Sequence, residues 1–233
     1  MREVVTILGY GSLLSASSTK LTMPSSHNFR YVRIVDHRRC FAHISPLFSE
    51  AGIARPEKLE LASLSAEPSS GSSFMGVAFD IPREEWGAFV DRELEYVITP
   101  AKFQLLGAGD HGDELGEGEG MLCTRGSDAL LRERGVWSRY EAAFDAFVPP
   151  LELRTCWDWG EASGLMPCAC YLRHCLLSSR RAGIPAAVRE SFLDDTYLVD
   201  RQTTLRTYLS RPGIEEYVMS CLPPPNLETR YGG

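Results

Sequence analysis

The chain has 233 residues, a formal net charge of −7, and 44% hydrophobic residues. This is an ordinary globular composition, and its acidic balance excludes the basic stripe of a nucleic-acid binder. No apolar run approaches the roughly 20 residues a membrane helix needs, strand-like sequence begins too early for a signal peptide, and seven cysteines without regular spacing suit a reducing compartment. The expectation is a cytoplasmic protein with no nucleic-acid or membrane partner.

In chain order, Val4–Leu8 reads as a buried strand closed by glycine. Residues 15–27 are Ser/Thr-rich and read as a loop, and residues 29–44 as one or two strands broken by basic residues. The run E-P-S-S-G-S-S at 67–73 has linker composition. Residues 74–81 alternate, with Val77, Phe79 and Ile81 on one face, as a strand should. A helical pattern covers residues 83–97, a strand 98–106, and a glycine-rich acidic loop 107–120. Four helical patterns follow, at 128–147, 169–181, 186–193 and 200–209. Strands in front and helices behind predict an α+β fold. Its mixed, barrel-like sheet would come from residues 1–122, with a helical extension at 127–222 packed on it and a tail at 223–233.

Two stretches carry chemistry. The first strand ends in Gly9-Tyr10-Gly11-Ser12-Leu13-Leu14. A turn needs one glycine at most. Two glycines around Tyr10, followed by a hydroxyl, suggest backbone opened to hold a ligand. The second stretch is the helical pattern after Pro82. On a wheel of 100° per residue, Phe89, Val90, Leu94 and Val97 fall within roughly 80° of Trp86. Glu93 falls about 20° from Trp86, inside that apolar stripe, whereas Glu84, Asp91 and Glu95 project to the far side. A carboxylate in an apolar stripe raises its pKa or finds a partner. It is then either a general acid/base or half of an ion pair with an inward arginine such as Arg38 or Arg39, the remaining alternative being a helix phased differently, with Glu93 turned outward.

Together the two stretches resemble the γ-glutamylcyclotransferase-like family. Gly9-Tyr10-Gly11-Ser12-Leu13 is similar to its G-Y-G-S-[LN] signature, and Val90-Asp91-Arg92-Glu93 to the segment bearing its catalytic glutamate. Tyr96 and the basic, aromatic strand at 33–41 also fit. The resemblance spans residues 4–106, and Leu13 matches the subgroup that acts on glutathione. It implies release of 5-oxoproline from glutathione or another γ-glutamyl peptide or amine, by attack of the substrate's own α-amine, with no cofactor and no metal. It implies a substrate cradle from Gly9, Tyr10, Gly11, Ser12, Leu13 and Leu14, and Glu93 as the proton carrier. The region after residue 122 has no counterpart in the small core family. The rival expectation is a catalytically silent member whose extension docks a protein partner.

Other motifs lead elsewhere. Cys168-Ala169-Cys170 lacks the second pair a structural zinc site requires and reads as packing. Asp110, Asp113, Glu114, Glu117 and Glu119 lack calcium-loop register. No G-K-[ST] follows the glycine turn, so it is not a phosphate loop.

Overall fold

The computed structural model describes residues 3–106, 114–147 and 151–231. Seven strands are present among them: β1 (Val4–Gly9), β2 (His27–Ile44), β3 (Glu60–Pro82), β4 (Val97–Leu106), β5 (Glu114–Thr124), β6 (Met166–Pro167) and β7 (Thr196–Tyr197). They form one mixed sheet in the order β6-β3-β1-β5-β4-β2-β7. β2 also pairs with β3, antiparallel, from Ile44↔Ala62 to His27↔Asp80. The circuit β3-β1-β5-β4-β2 therefore returns to β3, which makes the sheet barrel-like and the fold α+β. Ile7, Val32, Ile34, Phe41, Leu64, Val77 and Phe79, drawn from both faces of the sheet, belong to one hydrophobic core, each at most 1% exposed.

The helices sit outside this circuit, yet Leu172, Leu176, Val188 and Phe192 are as fully buried as the strand residues and join the same core. Strands β6 and β7, which lie among the helices in sequence, pair with β3 and β2, so the later half of the chain is stitched into the sheet. No helix among the described residues is long and apolar enough to cross a membrane.

Several expectations are corrected. The stretch at 15–27 contains the helix Ala16–Thr22, started by Ser15, whose hydroxyl accepts the N–H of Ser18 at 3.2 Å. The linker-like run at 67–73 is a bulge inside β3: Pro68 pairs with His37 and Ser73 with Val35, so an excursion of serines faces Asp36 alone. Gly71 and Asp36 both take positive φ there, and the Gly71 N–H donates to the Asp36 carboxylate at 2.9 Å. Of the acidic loop, residues 107–113 lie outside the described residues, and Glu114–Gly120 belongs to β5. The pattern at 128–147 is two helices, Asp128–Glu133 and Trp137–Ala146, separated near Gly135, whose φ is +68°. In the pattern at 200–209 only Leu205–Leu209 is helical, and the sequence reading missed the helix Ile214–Ser220. The supposed tail carries a short helix, Glu228–Tyr231.

The helical pattern at 83–97 is the correction with most consequence. A 3₁₀ turn at Arg83–Glu85 leads into a helix that spans only Trp86–Arg92. Glu93 caps its C-terminus, with φ −101° and ψ 32°, and β4 begins at Val97. The 100° wheel therefore does not apply beyond Arg92.

Candidate active site

β1 delivers the chain into the turn that follows. Gly9 lies where β1 crosses β3: a Cβ there would come within 2.9 Å of the Leu13 Cβ and 3.0 Å of a Val77 methyl. Gly11 adopts φ −130° and ψ −117°, and a Cβ on it would meet Leu64 at 3.1 Å and the Tyr171 hydroxyl at 3.2 Å. Both glycines are thus required by close approach. A single 3₁₀ turn follows at Ser12–Leu14, closed by the Leu14 N–H donating to the Gly11 carbonyl at 3.1 Å.

Tyr10 is a strut. It is 8% exposed, packs edge-on against Phe74, and donates its hydroxyl to the Cys123 carbonyl of β5 at 2.7 Å. Burial, with Cys123 and Glu93 nearby, holds its phenol well above its ordinary pKa, so it stays protonated. Its own carbonyl accepts from Arg39 at 3.3 Å. Arg39 is fully buried and, among the described residues, hydrogen-bonds to carbonyls rather than to a carboxylate. It donates also to the carbonyls of Met75 and Ser191 at 3.0 and 2.6 Å, and lies over the rings of Phe74 and Phe192. Burial lowers its pKa to about 9, which leaves it charged at neutral pH.

A cleft of about 780 Å³ opens beside the turn, and its lining includes Gly9, Tyr10, Gly11, Ser12 and Leu13 together with Glu93, Glu95 and Tyr96. Leu14 is fully buried in the core and does not line it. The structure therefore brings Glu93 and five of the six predicted cradle residues into one cavity.

Glu93 is paired with neither Arg38 nor Arg39. Its partner is the adjacent Arg92, whose Nε and Nη2 lie 2.8 and 2.7 Å from Oε1, with both side chains partly open to solvent. Burial pushes its carboxyl above the ordinary carboxylate range despite Arg92, and Glu95 pushes the same way.

Glu95 is not on an outer face. Its side chain is 14% exposed; it accepts from the Tyr140 hydroxyl at 2.8 Å and from the Ser45 hydroxyl at 3.4 Å, and His43 Nε2 lies 3.8 Å away. Burial opposes its charge, but His43, Tyr140 and Ser45 outweigh burial and hold the carboxyl below its ordinary pKa. The reason for the error is the early helix end: past Arg92 the chain turns, and Glu95 swings inward. His43 itself is fully buried and stacked on Trp157 at 4.0 Å. Arg134 closes the arrangement by donating to the carbonyls of Leu94 and Tyr96 at 2.6 and 2.8 Å. No local motif marks His43, Arg134 or Tyr140, because they reach the site from three separate elements.

Among the described residues, no group of three or more His, Cys, Asp and Glu side chains is gathered as metal ligands would be. Cys168 and Cys175 are wholly buried, Cys168 within hydrogen-bonding reach of the Ile53 carbonyl.

No family model and no curated protein matches the chain. Solved structures similar to it include γ-glutamyl cyclotransferases. One from yeast, specific to glutathione, aligns with 92% of this chain and 96% of its own at 11% identity and a TM-score of 0.45. A second γ-glutamyl cyclotransferase and an uncharacterized human protein each align with 65% of this chain and 91% of theirs at 17% identity, with TM-scores of 0.38 and 0.39.

Proposed function

We propose that the chain is an enzyme that releases 5-oxoproline from a γ-glutamyl peptide or amine. The observation that carries this reading is a pair of carboxyls in one cleft whose pKa values are driven apart: Glu93 upward by burial, Glu95 downward by its hydrogen-bonding neighbours. Such divergence separates a group that moves protons from one that stays charged. The glycine turn lines the same cleft.

In this reading the backbone N–H groups of Gly11, Ser12 and Leu13, with the Ser12 hydroxyl, hold the substrate's α-carboxylate as a backbone nest holds an anion. That anchors the γ-glutamyl group in a folded shape, so the α-amine lies against its own γ-carbonyl, and positioning supplies much of the rate. Glu93 accepts a proton from the α-ammonium. The freed amine attacks the γ-carbon, closing the five-membered ring. When the tetrahedral adduct collapses, the bond from the γ-carbon to the leaving nitrogen breaks; that nitrogen receives the proton held by Glu93 and, again by way of Glu93, the second proton shed by the ring nitrogen, and it departs as an ammonium. No water, metal or redox partner enters the balance. Glu95 remains ionised and keeps Glu93 basic enough for the first transfer.

The test is incubation of the purified protein with a panel of γ-glutamyl peptides, γ-glutamyl amines and glutathione, assayed for 5-oxoproline. Release from at least one compound is expected. No release from any member would overturn the reading in favour of a silent binding module.

A further inference from the structure

The cleft is larger than a γ-glutamyl group can fill, and several cationic side chains line it in this otherwise acidic protein. Arg92, Arg181 and Arg230 all line it, together with the side chain of His174. Arg230 belongs to the short C-terminal helix Glu228–Tyr231, and among the described residues it has neither an ion pair nor a hydrogen bond. The segment is firmly docked: Tyr231 is 5% exposed, buried among Phe48, Ile53, Cys168 and Cys170. His174 is 7% exposed, packs edge-on against Tyr231, and its Nδ1 has no hydrogen-bond partner.

We infer that the part of the cleft around Arg230 is a carboxylate subsite, in which Arg230 receives an acid group carried by the leaving amine. The substrate class is then a γ-glutamyl peptide with a free C-terminal carboxylate, rather than a γ-glutamyl amine or peptide amide. The inference rests on the proposed reaction and narrows its substrate. A guanidinium facing a carboxylate forms a charge-assisted pair of hydrogen bonds that a neutral amide cannot reproduce. The surroundings are suitably positive. Burial, then the charges of Arg181, Arg173 and Arg230, lower the pKa of His174 to about 4, so its ring is neutral and free to hydrogen-bond without adding charge. The charge of Arg230 also acts on Glu93, whose carboxyl it pulls downward. A substrate acid group would neutralise that pull and leave Glu93 more basic when the ligand is bound.

The test compares γ-glutamylglycine with γ-glutamylglycinamide, which differ in that charge alone, by calorimetric binding and by 5-oxoproline release. Wild type should bind and turn over the acid about tenfold better or more, through KM, as expected for one charge-assisted pair. Arg230→Gln should raise the KM of the acid to that of the amide, so that the preference is lost, whereas Arg230→Lys should restore part of it. Equal handling of acid and amide by wild type overturns the inference, and this comparison needs no variant to fold. Equal weakening of both ligands in Arg230→Gln, or binding of neither ligand to wild type, also overturns it. Preferential binding of the acid without any 5-oxoproline upholds the subsite and removes the reaction instead.

Discussion

The glycine turn at residues 9–14 is held mostly from within: close backbone approach at Gly9 and Gly11, a 3₁₀ hydrogen bond, and the Tyr10 strut to β5. The glutamate turn at residues 93–96 is held from without. Arg134 clamps its carbonyls, Tyr140 and Ser45 bond to Glu95, and Trp157 presses His43 towards the same carboxylate. Three of these, Arg134, Tyr140 and Trp157, come from the region after residue 122. The later half of the chain thus reaches both turns, but it touches the glycine turn through Tyr171 and the Arg39 network, whereas it supplies most of the side chains that hold the glutamate turn.

The largest expected effect is on the buried arginine that tethers the glycine turn. Arg39→Ala takes the donor from the buried carbonyls of Tyr10 and Met75, while the Ser191 carbonyl keeps the N–H of Asp195 at 2.9 Å. With each lost acceptor partner costing about 1–3 kcal/mol, the loss should be at least roughly 2 kcal/mol. Chemical denaturation would measure it, and a loss below about 1 kcal/mol would show that the turn needs no tether.

Glu95→Gln comes next. It removes a buried charge that accepts two hydroxyls and should cost about 1–3 kcal/mol. It also removes the negative charge that raises the Glu93 pKa, so the acid limb of the pH–rate profile should move to lower pH. The two carboxyls give stability opposite pH dependences. The Glu95 pKa is depressed on folding, so its contribution is complete above the ordinary carboxylate pKa and is lost as pH falls through the folded value. The Glu93 pKa is raised, so its contribution is complete below the ordinary value and is lost as pH rises through the folded one. Melts of wild type and Glu95→Gln across pH 3–7 would separate them: the gap between the two should shrink on the acid side.

The smallest effect should be Tyr140→Phe, which removes one hydrogen bond, retains the ring, and should cost about 1 kcal/mol. Turnover should fall less than in Glu95→Gln, because Ser45 and His43 still face the carboxylate. Equal losses of turnover in the two variants would mean that the tyrosine, not the charge, orients the site.

The contrast between the turns also explains what was legible in the sequence. The glycine turn depends on residues adjacent in the chain, and two glycines after an apolar run were enough to find it. Tyr10 was harder, since its partner Cys123 lies far away in sequence. The α+β class followed from residue periodicity. The helix at 16–22 was hidden by its serines and threonines, which cap and back-bond as readily as they form loops. At the glutamate turn the apolar pattern identified Glu93 as unusual for a reason that fails, since the helix stops at Arg92 before the wheel reaches it. Phe89 is the stripe residue that is truly buried, and Glu95 was assigned outward by extending a period that no longer existed. The partners of Glu95 lie in β2, in the turn that follows it, and in a helix about 45 residues downstream, beyond the reach of any local pattern.

The central claim is that Glu93 carries the proton. The most direct measurement is 5-oxoproline release from the best γ-glutamyl substrate by wild type and Glu93→Gln, across pH, beside thermal melts of both. Wild-type kcat/KM should fall as pH drops through a pKa above the usual carboxylate range. The variant should lose two or more orders of magnitude in turnover, the scale of lost acid/base catalysis. Its melt should stay near wild type, because the partly exposed Arg92 pair contributes at most about 1 kcal/mol. A Glu93→Gln protein that folds and turns over substrate at the wild-type rate would contradict the account.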